Sequence, residues 1–361
     1  MVLLVSFDSL ATSSLFISKN INLYRFSRMK HLLKILFLVP LCVACSSDDI
    51  GEEDVRPEQS PYTIGFNAEV ERTRAMATST DLEDNGFSVW GGYKGATASR
   101  IVFDGRKVTY QDSYWTYDNL EYWTYNTYQF HGIYPSPVTG SYTVEWNNEN
   151  SLLEVKGFDS TSEKDLLHAK ARGIDGAMPP STVNLSFEHT LSNVNVQLKK
   201  HIKNQNDVVT VTGVYLLGMC TKGDYTWKED NSTTPSTITA NWTVDNQSAS
   251  YTGQTFTKDL TVNYEDFLTN QLLIPQHIDP ETHPVALLVT YDFKLTGDGS
   301  TLIKDNQLVV PLPTPTPETV WGINKKITYQ AIIHANTDIT FATPIVEDWG
   351  EEQAGGTIII K

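Results

Sequence analysis

The feature of this chain that most constrains its fold is an alternation of apolar and polar residues that recurs along most of its length. Tyr62, Ile64 and Phe66 alternate with polar or small residues, and the same period returns at residues 183–187 and 327–333. Because successive side chains of a strand point to opposite faces, this period predicts strands with one buried face. Turn residues recur about every 8–12 positions. The pattern predicts an all-β chain built as antiparallel β-sandwiches.

Three other segments refine this prediction. Residues 285–293 form a denser apolar run that predicts a central strand. Prolines alternate with other residues through 311–317, which predicts an extended connection that cannot pair as a central strand. Residues 162–172 are the best candidate for a short helix. The pair Pro179-Pro180 predicts a boundary between an N-terminal sandwich, residues 61–180, and a C-terminal sandwich, residues 181–361.

The N-terminal region predicts export. Lys30 and Lys34 follow Met29, and an apolar run over residues 35–44 comes next. A basic start followed by about ten apolar residues is typical of a secretory signal peptide and too short to span a bilayer. We therefore expect residues 1–44 to be a signal peptide. Met29 is a better start than Met1, which makes residues 1–28 an upstream extension.

The tract Leu41-Cys42-Val43-Ala44-Cys45 resembles the lipobox of bacterial lipoproteins, in which the final cysteine is acylated and becomes the mature N-terminus. Residues 45–60 then form an acidic tether, which is similar to the acidic export tag of surface lipoproteins of Bacteroides-group bacteria. These two resemblances imply an outer-membrane lipoprotein that is anchored through Cys45 and exposed at the surface. Cys220 then has no partner for an intrachain disulfide and is expected to be a buried core residue.

Charge and motifs exclude several function classes. The formal net charge of −16 repels phosphate backbones, so nucleic acid is not an expected partner. No H-E-x-x-H, G-x-S-x-G or glycine-rich phosphate loop occurs in the sequence, and the C-x-x-C spacing of Cys42 and Cys45 falls within the lipobox-like tract. We therefore predict no metal site, no cofactor and no enzymatic activity.

Ten aromatic residues crowd positions 110–134, and two interpretations stay open. In the first, Trp115 and Trp123 belong to a platform on which sugar rings stack. In the second, alternate aromatic side chains fill the core of the N-terminal sandwich. The alternation through residues 122–130 favours the core.

Two arginines follow the first predicted strand. Arg72 and Arg74 lie in a polar segment of small residues, where a trypsin-like protease could reach the backbone. The alternative is that both are ordinary solvated charges.

Several motifs in this order resemble the fimbrillin-like (Mfa-like) family, the type V pilins of Bacteroides-group bacteria. The resemblance runs from about residue 35 to the C-terminus. The residues that carry it, besides the lipobox, are Tyr62-Thr63-Ile64-Gly65-Phe66, Thr73-Arg74-Ala75, Tyr122-Trp123, Phe130, Tyr134-Pro135, Asp165-Leu166-Leu167, Ala169, Leu185-Ser186-Phe187-Glu188-His189-Thr190-Leu191-Ser192, Asn324-Lys325-Lys326-Ile327-Thr328-Tyr329, Val346 and Trp349.

The resemblance implies a fimbrial subunit made of two tandem transthyretin-like β-sandwich domains. It implies lipidation at Cys45 and cleavage by an Arg-specific protease after Arg74, or less favourably after Arg72. That cleavage would displace the first strand, with Tyr62, Ile64 and Phe66, and open a groove. A strand from another pilin subunit, of the same or a different kind, would fill the groove.

The possible donor strand at the end of this chain, with Ile358, Ile359 and Ile360, is short for the family. It could instead close the chain's own sheet, which favours a tip, anchor or minor subunit, or donation could begin near Thr337. The alternative function is a permanently anchored glycan-binding lipoprotein that uses the Trp115 and Trp123 platform. In either case the chain would meet a receptor on a host or bacterial surface, which the residues do not specify.

Overall fold

The computed structural model describes residues 62–70, 77–95, 98–138, 141–161, 165–204, 206–246, 249–279, 281, 284–295, 302–316, 319–334 and 338–349. These residues form twenty strands, one α-helix and one short 3-10 helix. The predicted signal peptide and acidic tether lie outside the described residues.

Up to position 189 the described chain forms nine strands and one helix. They are β1 (Phe66–Val70), α1 (Ser79–Asn85), β2 (Phe87–Lys94), β3 (Ser99–Gln111), β4 (Tyr114–Thr116), β5 (Thr127–Tyr134), β6 (Thr143–Asn147), β7 (Leu152–Asp159), β8 (Leu167–Asp175) and β9 (Val183–His189). The later strands are β10 (Ser192–Lys200), β11 (Val208–Cys220), β12 (Lys222–Asp230), β13 (Thr237–Val244), β14 (Ala249–Asp259), β15 (Glu265–Leu273), β16 (Ala286–Lys294), β17 (Leu302–Pro311), β18 (Lys325–His334), β19 (Asp338–Phe341) and β20 (Ile345–Asp348), with the 3-10 helix at Ile202–Asn204.

A seven-stranded sheet, in the order β1-β9-β8-β5-β2-β3-β4, dominates the N-terminal half. Its pairs are antiparallel except at one edge, where β1 runs parallel to β9 with Phe66 opposite Val183. The core of this sheet is rich in aromatic side chains, including Phe87, Phe103 and Phe130, all of them fully buried. The sheet therefore buries a face made largely of rings, and β1 closes its edge.

The C-terminal half is a sandwich of two sheets. One has the order β15-β10-β18-β19 with β20 also paired to β18, and the other has the order β14-β11-β16-β17. Their facing side chains share one hydrophobic core, to which Val196 of β10 and Leu287 of β16 both belong. Strand β16 is interior, as its apolar run predicts, and the paired segment that follows ends at Pro311 on the edge strand β17. The prediction of an all-β sandwich fold is confirmed.

A fourth sheet, in the order β13-β12-β7-β6, combines strands from before and after position 180. Strand β12 pairs antiparallel with β7, with Trp227 opposite Leu153. Side chains from both halves, among them Trp90, Tyr225 and Trp349, share the core beneath it. The division into sandwiches at residues 61–180 and 181–361 stays a prediction, and this sheet joins strands from both of those ranges.

The helix expected at residues 162–172 is wrong. Residues Leu167–Asp175 form strand β8 between β5 and β9, and its first three residues are all buried, so both faces are covered and the sequence loses its alternation. The actual helix, α1, begins with a capping box in which Thr78 Oγ1 accepts from the Asp81 amide and Asp81 accepts from the Thr78 amide. It ends at Gly86, whose φ of 68° is readily adopted by glycine. In the described part of the chain, no helix is long and apolar enough to cross a membrane.

Candidate functional site

The segment on which the sequence analysis places strand displacement is described from Tyr62 to Val70, and we call residues 62–70 the leader segment. Its backbone is held from two sides. On one side β1 pairs with β9, and the Val183 amide donates to the Gly65 carbonyl at 2.7 Å. On the other side the Ile64 amide donates to the Glu121 carbonyl and the Trp123 amide donates to the Tyr62 carbonyl, both at 2.8 Å. The leader segment therefore bridges β9 and the loop before β5.

Two of the three predicted leader side chains are buried. Ile64 is fully buried and Phe66 is 4% exposed, whereas Tyr62 is 66% exposed. The Phe66 ring makes edge-to-face contacts with Phe103 and Phe130, at centroid distances of 5.3 and 5.6 Å. The leader segment thus inserts its apolar side chains into the aromatic core of the N-terminal sheet, where a full burial of each contributes about 1.5–3 kcal/mol.

Tyr117 is the polar anchor of this segment. Its hydroxyl donates to the Ile64 carbonyl at 2.6 Å and accepts from the Glu121 amide at 3.2 Å. Burial raises the pKa of this hydroxyl to about 12, so it keeps its proton and remains a donor. Arg106 reinforces the same loop, since its guanidinium donates to the Asn119 carbonyl and pairs with the Glu121 carboxylate at 3.3 Å.

Two polar groups where the leader segment meets the loop before β5 lack hydrogen-bond partners in the described part of the chain. Thr63 Oγ1 and Trp123 Nε1 are buried and have no hydrogen-bond partner among the described residues. Each such group costs about 1–3 kcal/mol relative to its hydrated state. The leader segment is consequently held by strong apolar contacts and a good backbone ladder, at a site whose polar groups are incompletely paired.

The other predicted maturation residues lie outside the described residues. Arg72 and Arg74 fall in residues 71–76, Cys45 falls in residues 1–61, and Ile358, Ile359 and Ile360 fall in residues 350–361. The structure describes the positions that flank the arginines. The Val70 amide donates to Ser79 Oγ at 3.1 Å, so the end of β1 is tied to the first residue of α1.

Trp115 and Trp123 lie in the core, whereas Tyr122 and Tyr125 of the same cluster are exposed, and this burial argues against the predicted glycan contact at Trp115 and Trp123. These two residues are 7% and 8% exposed. Trp115 packs against Phe87 at 4.9 Å, and Trp123 packs edge-to-face against Tyr128 at 4.9 Å, so neither indole offers a free face to a sugar. The prediction that Cys220 is buried is confirmed.

A buried cluster that sequence reasoning missed joins three motif residues. His189 Nδ1 lies 2.8 Å from Asp165 Oδ2, and both side chains are 1% exposed. The His189 ring also stacks on the Trp349 indole, with centroids 3.7 Å apart and planes inclined by 10°. His189 ends β9, the strand that pairs with the leader segment, so this cluster ties the last described residue of the chain to the leader's neighbour.

A second buried polar chain links the N-terminal sheet to β12. His131 Nδ1 lies 2.8 Å from His168 Nε2, and His168 Nδ1 lies 3.0 Å from the Tyr225 hydroxyl. Burial, with added repulsion from Lys170 and Arg172, lowers the pKa of His131 to about 3. Burial and the neighbouring His131 likewise lower the pKa of His168 well below its usual value, so both rings are neutral. Within the described residues, no group of three or more His, Cys, Asp or Glu side chains is placed to hold a metal ion.

The chain was compared with protein-family models, curated proteins and solved structures. A family model described as fimbrillin-like matches residues 73–349. Comparison with curated sequences found no significant match. A solved fimbrial protein from Bacteroides vulgatus is 17% identical with a TM-score of 0.56, and the alignment covers 80% of this chain and 99% of that one.

A candidate cell adhesion protein from Bacteroides ovatus is 13% identical with a TM-score of 0.47, covering 81% of this chain and 99% of that one. At these identities a likeness between structures informs on the fold alone. The Bacteroides vulgatus structure agrees with the sandwich architecture described above.

Proposed function

Since the chain belongs to the fimbrillin-like family, we propose how this fimbrial or adhesive subunit of the cell surface matures. It is exported as an outer-membrane lipoprotein and is then assembled by strand exchange. Family membership places it among structural proteins rather than enzymes. Lipid attachment, cleavage and strand exchange are the proposed steps.

The observation that carries the proposal is the two-sided burial of the leader segment. Its removal leaves the Glu121 carbonyl, the Trp123 amide and the Val183 amide without their partners. It also uncovers the rings that Phe66 contacts in the N-terminal core. Unpaired buried groups cost about 1–3 kcal/mol each, so the emptied groove selects an extended segment with apolar side chains at alternate positions.

Maturation follows from the order of residues along the chain. Cys45 precedes the leader segment, and Arg72 and Arg74 follow it. Cleavage by an Arg-specific protease after Arg74, or less favourably after Arg72, would therefore separate the lipid anchor and the leader segment from the body in one step. The leader would then be held by noncovalent contacts alone, and a donor strand from another pilin subunit could replace it.

The proposed donor is the C-terminal tail with Ile358, Ile359 and Ile360. Donation from a point near Thr337 would require β19 and β20 to leave β18, with which both pair in this structure. We therefore favour donation by the tail over donation from a point near Thr337.

N-terminal sequencing of the surface-exposed protein tests the proposal, with an Arg72→Ala/Arg74→Ala double variant and Arg100→Ala as the control for loss of one exposed arginine. We expect a mature N-terminus at Ala75, or at Thr73, in the wild type and in the control. The double variant should keep an acylated Cys45, remain in the membrane and fail to bind a synthetic peptide of residues 350–361.

Two outcomes would count against this scheme. One is an uncut wild-type chain retained in the membrane, as the alternative of a permanently anchored lipoprotein requires. The other is peptide binding by the double variant at the wild-type level.

A further inference from the structure

A polar cavity of about 410 Å³ lies where the outer end of the seven-stranded sheet meets the β12 side of the fourth sheet. Its walls come from β2, β5 and β8 on one side and from the turn after β6 and the end of β12 on the other. The volume falls in the range of about 300–1,000 Å³ that small-molecule sites occupy. No residue of the leader segment lines this cavity, and it shares Tyr128 with the aromatic cluster.

The side chains that line the cavity carry polar groups, although the Tyr128 ring and the methylene groups of several others add apolar surface. Apart from two glycines, every residue that lines it carries a hydroxyl, an amide, an ammonium, a guanidinium or a carboxylate, and none is aliphatic. Such a surface offers many donors and acceptors to a molecule with several hydroxyl groups.

The described lining of the cavity has one more positively charged side chain than negatively charged ones. The Arg172 guanidinium pairs with the Glu229 carboxylate, which also accepts from Ser236 Oγ at 2.9 Å. The Lys94 ammonium donates to the Glu149 backbone carbonyl and to Ser151 Oγ, and among the described residues no carboxylate forms an ion pair with it. In a chain of net charge −16 the cavity therefore holds a cation whose charge is not neutralised.

The acceptors beside this cation are fixed in place. Asn148 is 6% exposed, and its Nδ2 donates to the Tyr93 carbonyl and to Ser99 Oγ at 2.9 and 2.7 Å, which leaves its Oδ1 as an acceptor. The Gln129 amide nitrogen lies 3.1 Å from His131 Nε2, so the buried histidine chain holds that side chain in the same way. Groups fixed before binding lose little conformational entropy when a ligand arrives.

We propose that this cavity binds a carboxylate-bearing saccharide, with the Lys94 ammonium as the counter-ion of the carboxylate and the amides of Asn148 and Gln129 as partners of ring hydroxyls. The site goes beyond the assembly function, because a monomer can bind through it whether or not a filament forms. It would give a surface subunit a ligand of defined chemistry.

Isothermal titration of the purified protein with glucuronate, glucose and acetate tests the site. We expect glucuronate to bind roughly tenfold more tightly than glucose or acetate, since only glucuronate satisfies both the cation and the amides. Lys94→Gln should weaken glucuronate binding roughly tenfold, and Lys304→Gln, the same change at an exposed lysine outside the cavity, should leave binding unchanged.

A second variant keeps the cation and closes the space. Thr127→Trp places a large ring at an exposed strand end that lines the cavity, and it should abolish glucuronate binding. The proposal is overturned if the wild type binds none of the saccharides, if acetate binds as tightly as glucuronate, or if both Lys94→Gln and Thr127→Trp bind glucuronate like the wild type.

Discussion

The imidazole of His189 lies flat against the indole of Trp349, with ring centroids 3.7 Å apart, although 160 positions separate the two residues. The contact joins the end of β9 to the residue that follows β20. Strand β9 also pairs with β1. The same strand therefore contacts both the leader segment and Trp349, the last described residue of the chain.

Replacing Trp349 by alanine should lower the free energy of unfolding by about 3 kcal/mol or more, the usual cost of removing a buried indole. The indole is 6% exposed and belongs to the core shared by both halves of the chain. Urea unfolding followed by circular dichroism measures this change. Tyr125→Ala, at a ring that is 90% exposed, is the matched control and should change stability by less than about 0.5 kcal/mol. Equal effects of the two substitutions would contradict the packing described.

Asp165→Ala should destabilise the fold by about 1–3 kcal/mol, because it removes the carboxylate that lies 2.8 Å from the buried His189 ring. Asp165→Asn should cost less, since an amide oxygen can still accept from His189 Nδ1. Thermal unfolding of the two variants measures the difference. For comparison, Glu188→Ala removes a partly exposed pair with Lys170 and should cost no more than about 1 kcal/mol. The prediction fails if Asp165→Ala is as mild as Glu188→Ala.

Stability should fall as the pH is lowered from about 6.5. The pKa values of His131 and His168 lie well below 6.5 in the folded protein, whereas both rings titrate near 6.5 in the unfolded chain. Below that pH the unfolded chain therefore binds more protons, and the native state loses up to about 1.4 kcal/mol per pH unit for each ring. Urea midpoints between pH 7.5 and 5 test this before most carboxylates titrate. His168→Gln should remove one ring's share of the slope, and a midpoint that does not change over this range would refute the account.

Tyr117→Phe should loosen the leader segment while keeping the ring. It removes the donor to the Ile64 carbonyl and the acceptor for the Glu121 amide, a loss of about 1–2 kcal/mol. We expect faster hydrogen exchange at the Ile64 amide, which donates to the Glu121 carbonyl in the loop before β5. Tyr122→Phe changes a neighbouring hydroxyl on a ring that is 53% exposed and should leave that exchange rate unchanged. Unaltered exchange in Tyr117→Phe would mean that the hydroxyl does not hold the segment.

The strands that face solvent on one side could be predicted from the sequence, because their alternation survives there. Ile64 and Phe66 are buried as the alternation predicts, although Tyr62, expected on the same face, is exposed. Strands β9 and β18 form at the alternating residues 183–187 and 327–333. Strand β8 could not be predicted, since a strand covered on both faces has no alternation to detect. Helix α1 has only seven residues, too few to establish a helical period.

The polar clusters could not be predicted for a different reason. His131 meets His168 at a separation of 37 residues, and His168 meets Tyr225 at a separation of 57. Such contacts depend on which strands pair and in which register, and local sequence does not specify long-range pairing. The same holds for Trp115 and Trp123. An aromatic side chain suits either a core or a sugar platform, and only the packing of Trp115 on Phe87 and of Trp123 on Tyr128 shows that these two belong to the core.

The ladder between β7 and β12 has a mechanical consequence. Six registered positions connect these strands, which lie on opposite sides of position 180 in the sequence. If the chain is stretched from its ends, the two halves cannot separate as independent domains while this ladder is intact. A force–extension trace of a single molecule should therefore contain an event in which the shared sheet ruptures and the two halves separate.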